Sequence, residues 1–153
     1  MDCGKGKIVV GYQCIGKSTL AYHYANVIDL ESNNFFINGK RDKKWYIPYC
    51  NIARSFVRQG YTVCCSSHEV VRKEFEKNPV ERQIIVYPAL ALKDVWIRSL
   101  KYRYEHTGSE KDFKALKHAE HCYEQDITDL SNQKGFEHIE IISMDYNLWD
   151  ELT

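Results

Sequence analysis

Eight residues near the start of the chain have the types and the spacing needed to hold a polyphosphate. Residues 11–18 (GYQCIGKS) match the pattern G-x-x-x-x-G-K-[ST] without deviation. The glycines allow a backbone path that a Cβ would block, so that N–H groups can turn toward an anion. Lys17 suits the β and γ phosphates, the Ser18 hydroxyl suits Mg²⁺, and Thr19 follows at the α-phosphate. The predicted nucleotide site contains Gly11, Tyr12, Gln13, Cys14, Ile15, Gly16, Lys17, Ser18 and Thr19.

Two carboxylates follow the next apolar segment. Asp29 and Glu31 fall at the carboxyl end of a predicted second strand, and ligands of open α/β sheets bind beyond such ends. Asp29 could accept a proton from an acceptor hydroxyl or help to hold Mg²⁺, which makes it a candidate catalytic and metal residue. Glu31 and Ser32 could bind a sugar or a base edge. Alternatively, one of the two carboxylates caps a turn.

The elements that must position these residues alternate along the chain. Strands are predicted at 7–10, 27–30, 61–66, 83–87 and 137–143, and helices at 17–27, 49–59, 69–77, 92–105 and 110–133, with Ser109 capping the last helix. Such alternation implies parallel βαβ units with right-handed crossovers. We therefore expect one α/β domain over residues 1–153, with a five-stranded parallel sheet and helices on both faces.

These features together resemble the nucleoside and nucleotide kinases of the P-loop superfamily, of the adenylate and thymidylate kinase kind. Residues 66–72 (SSHEVVR), 86–88 (VYP) and 92–96 (LKDVW) also resemble small kinase-like proteins of bacteriophages. The resemblance covers most of the chain, and the phosphate loop is its one highly specific motif. It implies the sheet order 2-3-1-4-5, ATP and Mg²⁺ as cofactors, and an acceptor held between the second-strand region and a lid.

The resemblance also suggests which cations act on the transferred phosphoryl group. A lid-like helical segment at 92–109 contains Arg98 and Arg103, which could neutralise charge on the γ-phosphoryl oxygens. Because the two arginines are five residues apart, one helix would present only one of them to the site, and Arg98 is the first choice. The alternative is that both are surface arginines of an amphipathic helix.

An acceptor-binding insert is expected at residues 40–59. There, Trp45 and Tyr49 could stack on a nucleobase, and Arg54 could bind an acceptor phosphate with two parallel hydrogen bonds. Core packing of the two aromatic rings is the alternative. Ser67 and His68 follow the third strand as further substrate-binding candidates, although a histidine in this place is more often an ordinary loop residue. The absence of an aspartate at that strand end argues against a motor ATPase or a GTPase.

Composition limits the partners and the compartment. The 153 residues carry 21 Lys and Arg against 21 Asp and Glu, so the net charge is zero and duplex nucleic acid is a poor partner. No apolar run is long enough to span a bilayer, and Met1–Lys5 contains no apolar leader. Six cysteines without a C-x-x-C pair indicate reduced thiols and a cytoplasmic protein. The pKa of Cys14 is expected to be low, because Cys14 lies near a helix start.

The leading hypothesis is a phosphotransferase that uses ATP to phosphorylate a nucleoside monophosphate, a nucleoside or a related small acceptor. A second hypothesis is a nucleotide-binding or sequestering protein without turnover, such as a phage regulator or defence antagonist. A third is a polynucleotide 5′-kinase, which the basic residues at 40–44 favour and the zero net charge disfavours. The oligomeric state is left open.

Overall fold

Five parallel strands form one sheet in the order β2-β3-β1-β4-β5. The strands are β1 (Lys7–Gly11), β2 (Val27–Asp29), β3 (Thr62–Cys65), β4 (Gln83–Pro88) and β5 (Glu137–Ile141). The computed structural model describes residues 6–153, so Cys3 and the leader prediction for Met1–Lys5 lie outside the described residues. The predicted α/β class and strand order are confirmed.

Six helices connect or follow the strands. They are α1 (Lys17–His23), α2 (Tyr46–Arg58), α3 (Glu69–Lys77), α4 (Lys93–Thr107), α5 (Glu110–Ser131) and α6 (Leu148–Leu152), with short 3-10 turns at Ser32–Phe35 and Leu90–Leu92. Right-handed crossovers place α1 on one face of the sheet, and α2, α3 and α5 on the other. The contacts agree, since α1 packs against α6, α2 against α3, and α5 against β4.

The centre of the sheet is buried on both faces. Val9 of β1 is in register with Cys64 of β3 and Ile84 of β4, and none of the three is more than 1% exposed. Strands covered by helices on both faces are expected to be almost continuously apolar, as these are. Asp29 is also in register with Cys64, so the chain leaves β1, β2 and β3 at one edge of the sheet.

Several boundaries differ from the prediction for local reasons. α1 ends at His23 rather than at 27, because Val27 already pairs with β3. α2 begins at Tyr46, three residues early, since Pro48 sits in its first turn, where a missing N–H costs no helical hydrogen bond. α6 was not predicted at all, and its start is capped by the Asn147 side chain, which accepts a hydrogen bond from the Asp150 N–H at 3.2 Å.

The predicted lid segment is a helix packed against its neighbour. α4 and α5 form a hairpin joined at Gly108, whose φ of 62° is in the left-handed region that favours glycine. Trp96 and Leu100 of α4 are buried. The predicted cap is confirmed, because the Ser109 hydroxyl accepts a hydrogen bond from the Asp112 N–H at 3.1 Å. Within residues 6–153, no helix combines the length and the apolar character needed to cross a membrane.

Candidate functional site

The loop of residues 11–18 is held in place from two sides by distant aromatic residues. The Trp96 indole N–H donates to the Gln13 carbonyl oxygen at 2.8 Å, and the Tyr146 hydroxyl donates to the Ile15 carbonyl oxygen at 2.8 Å. By contrast, the backbone N–H groups of residues 16–19 have no acceptor in the described part of the chain. Two carbonyl groups of the loop are therefore fixed, whereas the N–H groups of residues 16–19 are available to an anion.

Glycines shape the loop where another residue would collide or be strained. A Cβ on Gly11 would lie 2.7 Å from Ile15 Cγ2 and 3.2 Å from Lys17 Cδ. Gly16 has a φ of 111°, a conformation that L side chains rarely adopt. Cys14 is also left-handed, at a φ of 66°. The Lys17 side chain can fold back over the loop only because the space beside Gly11 is empty.

Lys17 lies at the carboxyl edge of the sheet and is bound by backbone oxygens. Its Nζ donates to the Gly11 carbonyl oxygen at 2.6 Å, with the Cys65 carbonyl oxygen at 3.5 Å. Burial lowers the pKa of Lys17, and the nearby Asp29 carboxylate opposes that shift. Among residues 6–153, the ammonium group has no ion-pair partner, so it is a desolvated cation that can bind an anion.

A cleft of about 790 Å³ opens over this edge. It lies between the loop, the ends of β2 and β3, and the cleft-facing side of α5. Many of the predicted site residues line it, namely Tyr12, Gln13, Cys14, Ile15, Gly16, Lys17, Ser18, Asp29, Glu31, Ser32, Ser67, His68 and Arg103. The fold therefore brings the predicted phosphate loop and the predicted carboxylates to one cavity.

The two carboxylates in the cleft have different surroundings. Burial raises the pKa of Asp29, while Lys17 lowers it and Glu31 raises it further. Glu31 itself forms an ion pair with Lys111 of α5, with the Oε2 and Nζ atoms 2.7 Å apart. Of the two carboxylates, Asp29 consequently has the larger effect on the pKa of Lys17, and Glu31 ties the end of β2 to α5.

The arginine that reaches the cleft is not the one favoured by the sequence. Arg98 lines a separate groove along α4, together with Cys14, Tyr102 and His106, and does not line the cleft. Arg103 lines both cavities, and its Nη1 atom lies 3.9 Å from Asp112 Oδ1. Of the two predicted arginines, the structure therefore places Arg103, and not the preferred Arg98, in the cleft with Lys17.

Three other predicted substrate residues have structural partners instead. The Arg54 guanidinium pairs with Glu74 at 2.6 Å and donates to the Asn78 carbonyl oxygen and to Asn51 Oδ1. The buried Tyr49 hydroxyl links the Leu30 carbonyl oxygen to the Ser66 N–H. Trp45 is 9% exposed and belongs to the hydrophobic core. None of the three lines the cleft, so core packing explains both aromatic rings.

His68 is held at the mouth of the cleft as a neutral ring. Its Nδ1 lies 2.8 Å from the Ser66 hydroxyl oxygen, and its ring meets Trp45 edge to face. Partial burial, together with the cations Arg41 and Lys17, lowers the pKa of His68 to about 4. A neutral imidazole can exchange hydrogen bonds with a ligand without adding positive charge.

The far wall of the cleft contains polar residues that sequence reasoning missed. His118 Nε2 lies 2.7 Å from Asp126 Oδ2, and the buried Arg72 donates to Gln133 Oε1 and the Ser67 carbonyl oxygen. A helical spacing in the sequence could have revealed the stripe on α5, since positions 111, 115, 118, 126 and 129 share one helix face. The Tyr12 hydroxyl is buried, with no hydrogen-bond partner in residues 6–153.

The prediction of an acidic Cys14 thiol is wrong. Burial raises the pKa of Cys14, and the cation Arg103 offsets this only in part. The helix start nearby does not outweigh the removal of the thiolate from water. Cys14 is therefore protonated near neutral pH.

A smaller cavity of about 600 Å³ lies against the loop, beside α1. It shares Ile15, Gly16 and Thr19 with the loop, and its outer wall includes the segment before and within α6. Tyr24 and Trp149 stack there, with ring centroids 4.1 Å apart. The loop thus lies between two cavities, one on the side of Lys17 and one on the side of Thr19.

Comparison with known protein families finds no family model that matches this chain, and comparison with curated proteins finds no match either. The function must therefore be argued from the geometry of the cleft.

Proposed function

We propose that this protein is a small kinase of the P-loop kind, which transfers the γ-phosphoryl group of ATP to a small acceptor such as a nucleoside monophosphate or a nucleoside. One observation carries the proposal. Lys17, on a loop with free N–H donors, shares a cleft with the half-buried carboxylate Asp29, whose charge raises the pKa of Lys17. Phosphoryl transfer needs this combination of anion binding and acceptor positioning, because catalysis is mostly positioning and charge stabilisation.

The two cavities on either side of the loop suit the two substrates. The triphosphate would lie along residues 11–19, with the γ-phosphate at Lys17 and the α-phosphate at Thr19. From Thr19 the nucleoside would continue into the smaller cavity, where Tyr24 and Trp149 offer aromatic surface. The acceptor would then occupy the larger cleft on the side of Lys17.

The residues of the cleft provide for each part of the proposed phosphoryl transfer. An acceptor oxygen attacks the γ-phosphorus, the bond from that phosphorus to the β,γ-bridging oxygen breaks, and ADP leaves. If the acceptor is a hydroxyl, its proton passes to the Asp29 carboxylate. Lys17 and Arg103 stabilise the charge on the equatorial oxygens. Ser18 provides a hard oxygen donor that fits Mg²⁺, which would neutralise phosphate charge when bound. Asp29 would provide a second such donor where the attacking acceptor oxygen has no proton to lose.

The test is acceptor-dependent formation of ADP. The protein is incubated with Mg²⁺, ATP and a panel of nucleosides and nucleoside monophosphates. We expect turnover with at least one acceptor, and a loss of at least about a thousandfold in Lys17→Ala, because that lysine stabilises the transferred phosphoryl group. Lys134→Ala, at an exposed lysine outside the cavities, is the matched control. Wild-type turnover no higher than that of Lys17→Ala with every acceptor would refute the proposal.

A sequestering protein is distinguished in the same experiment. Calorimetry would then show tight binding of ATP that depends on Lys17, with no ADP formed. A polynucleotide kinase would instead label a 5′-hydroxyl oligonucleotide and leave the small acceptors unchanged.

A further inference from the structure

Arg41 stacks on two aromatic rings and has a side-chain nitrogen without a hydrogen-bond partner in residues 6–153. It lies in the segment between the 3-10 turn Ser32–Phe35 and α2, and it lines the cleft that contains Lys17. Its guanidinium carbon is 4.5 Å from the centre of the Phe36 ring and 4.3 Å from that of Trp45. In the sequence, Arg41 is one of the basic residues at 40–44, and no individual role is predicted for it.

The two rings fix the plane of this guanidinium. Trp45 is itself immobilised, because it packs edge to face on Tyr49 at 5.5 Å and on His68 at 5.2 Å. Aromatic faces satisfy the faces of a guanidinium but not its edge, where the N–H donors project. The edge is therefore the part of Arg41 that is left to bind something else.

At that edge, the Nη1 atom is covered by the protein yet has no hydrogen-bond partner in the part of the chain that the structure describes. Burial lowers the pKa of Arg41, and no carboxylate contributes to that pKa among residues 6–153. Other arginines near the cleft differ in this respect, since Arg54, Arg72 and Arg103 all face acceptors of the protein. A buried, unsatisfied donor is costly, which suggests that it serves binding.

We propose that Arg41 binds an anionic oxygen group of the acceptor, so that the acceptor is a phosphate monoester or a carboxylate rather than a neutral nucleoside. The proposal rests on the proposed function, because the anion would lie in the same cleft as the γ-phosphoryl group. A planar, held guanidinium matches two oxygens of such a group with two parallel N–H donors. This role replaces the one predicted for Arg54.

The experiment compares nucleosides with their monophosphates in three variants. Arg41→Gln removes the charge, Arg41→Lys keeps it without the planar fork, and Arg58→Gln changes an exposed arginine of α2 as the control. We expect monophosphates to be the better acceptors and Arg41→Gln to raise their KM at least about tenfold, with the KM for ATP unchanged. Arg41→Lys should lie in between, and Arg58→Gln should match the wild type.

A purely structural role for Arg41 predicts a different result. Arg41→Gln also removes the contacts of the guanidinium with Phe36 and Trp45, so the melting temperature should fall modestly. A purely structural role predicts that this fall occurs with no change in the KM for the monophosphates. Equal KM values for the monophosphates in wild type and Arg41→Gln would overturn the proposal, as would a wild-type preference for neutral nucleosides.

A second measurement separates this proposal from the proposed function. Monophosphates are titrated calorimetrically into the protein with a non-hydrolysable ATP analogue present. If no acceptor gives ADP above the Lys17→Ala background, the proposed function fails, yet monophosphate binding that is lost in Arg41→Gln still supports the anion site. Unchanged binding in Arg41→Gln removes the anion site, whatever the turnover.

Discussion

Asp29 experiences two opposing influences on its protonation. Burial raises its pKa and the Lys17 ammonium lowers it, and the balance is a net rise above the ordinary carboxyl value. A carboxylate with a raised pKa is a stronger base than one with the ordinary pKa. However, it becomes protonated, and stops acting as a base, at a higher pH. For a hydroxyl acceptor, activity should therefore fall on the acid side at a higher pH than an ordinary aspartate would give.

This prediction is checked by the pH dependence of kcat/KM. Asp29 must be ionised to accept the proton, so the rate should decrease as pH falls through its raised pKa and level off above it. Asp29→Asn should lower kcat about a hundredfold or more and abolish the acid limb. Asp94→Asn, at an exposed carboxylate in the first turn of α4, should keep the wild-type profile. If the acid limb persists in Asp29→Asn, a group other than Asp29 causes it.

Arg54 should behave in the opposite way to Arg41. Its side chain and that of Glu74 are only 14% and 13% exposed, and its removal would leave the Glu74 carboxylate without its partner. We expect Arg54→Ala to lower the free energy of unfolding by about 1–3 kcal/mol while leaving the acceptor KM within about twofold. Urea denaturation and steady-state kinetics measure the two effects. A large rise in acceptor KM without destabilisation would return Arg54 to the binding site.

Only some residues of the site could be predicted from the sequence. Lys17 and Asp29 could be placed because each follows a strand whose end is fixed by the sheet. Arg54 could not be excluded, since its partner Glu74 is twenty residues away and on another helix. Arg41 could not be selected, because its site exists only when Phe36 and Trp45 close around it.

At the scale of elements, the loop depends on two aromatic donors from other parts of the chain. Trp96 comes from α4 and Tyr146 from the segment before α6, and each binds a loop carbonyl. Neither contact could be predicted, because the residues are 83 and 131 positions away from their acceptors. The parallel sheet, in contrast, could be anticipated from the alternation of elements, and its strand order from the kinase resemblance. α6 has only five residues and a weak periodic signal.

Tyr146→Phe tests whether the loop carbonyl must be held. It removes one hydroxyl and one hydrogen bond to Ile15, so the free energy of unfolding should fall by about 1 kcal/mol. ATP affinity should fall severalfold, because residues 16–19 lose part of their preorganisation. Calorimetry and urea denaturation provide the measurements. Tyr22→Phe, at a ring that is 86% exposed, should change neither quantity. Unchanged ATP affinity in Tyr146→Phe would mean that Trp96 alone is sufficient.

At the scale of the whole molecule, the balance of charge in the chain is repeated in the cleft. The cleft lining contains six Lys and Arg residues and seven Asp and Glu residues, so Lys17, Arg41, Arg72 and Arg103 share it with carboxylates such as Asp29 and Asp126. This balance predicts weak general attraction to nucleic acid, and a small anion would bind through individual donors of the cleft rather than through its net charge. Composition could exclude partners in this way, but only the folded cleft indicates which charges act together.

Because the loop of residues 11–18, both cavities and the sheet edge form only in the folded chain, the proposed nucleotide binding should stabilise the whole molecule. Mg²⁺ and ATP at about a hundred times the dissociation constant add about 2.7 kcal/mol to the free energy of unfolding. For a chain of 153 residues, this corresponds to a rise in Tm of about 5–10 °C. Lys17→Ala should lose most of this rise at the same ATP concentration, and Lys134→Ala should keep it. Differential scanning calorimetry measures these changes in Tm. An equal rise in wild type and Lys17→Ala would place the nucleotide away from the loop.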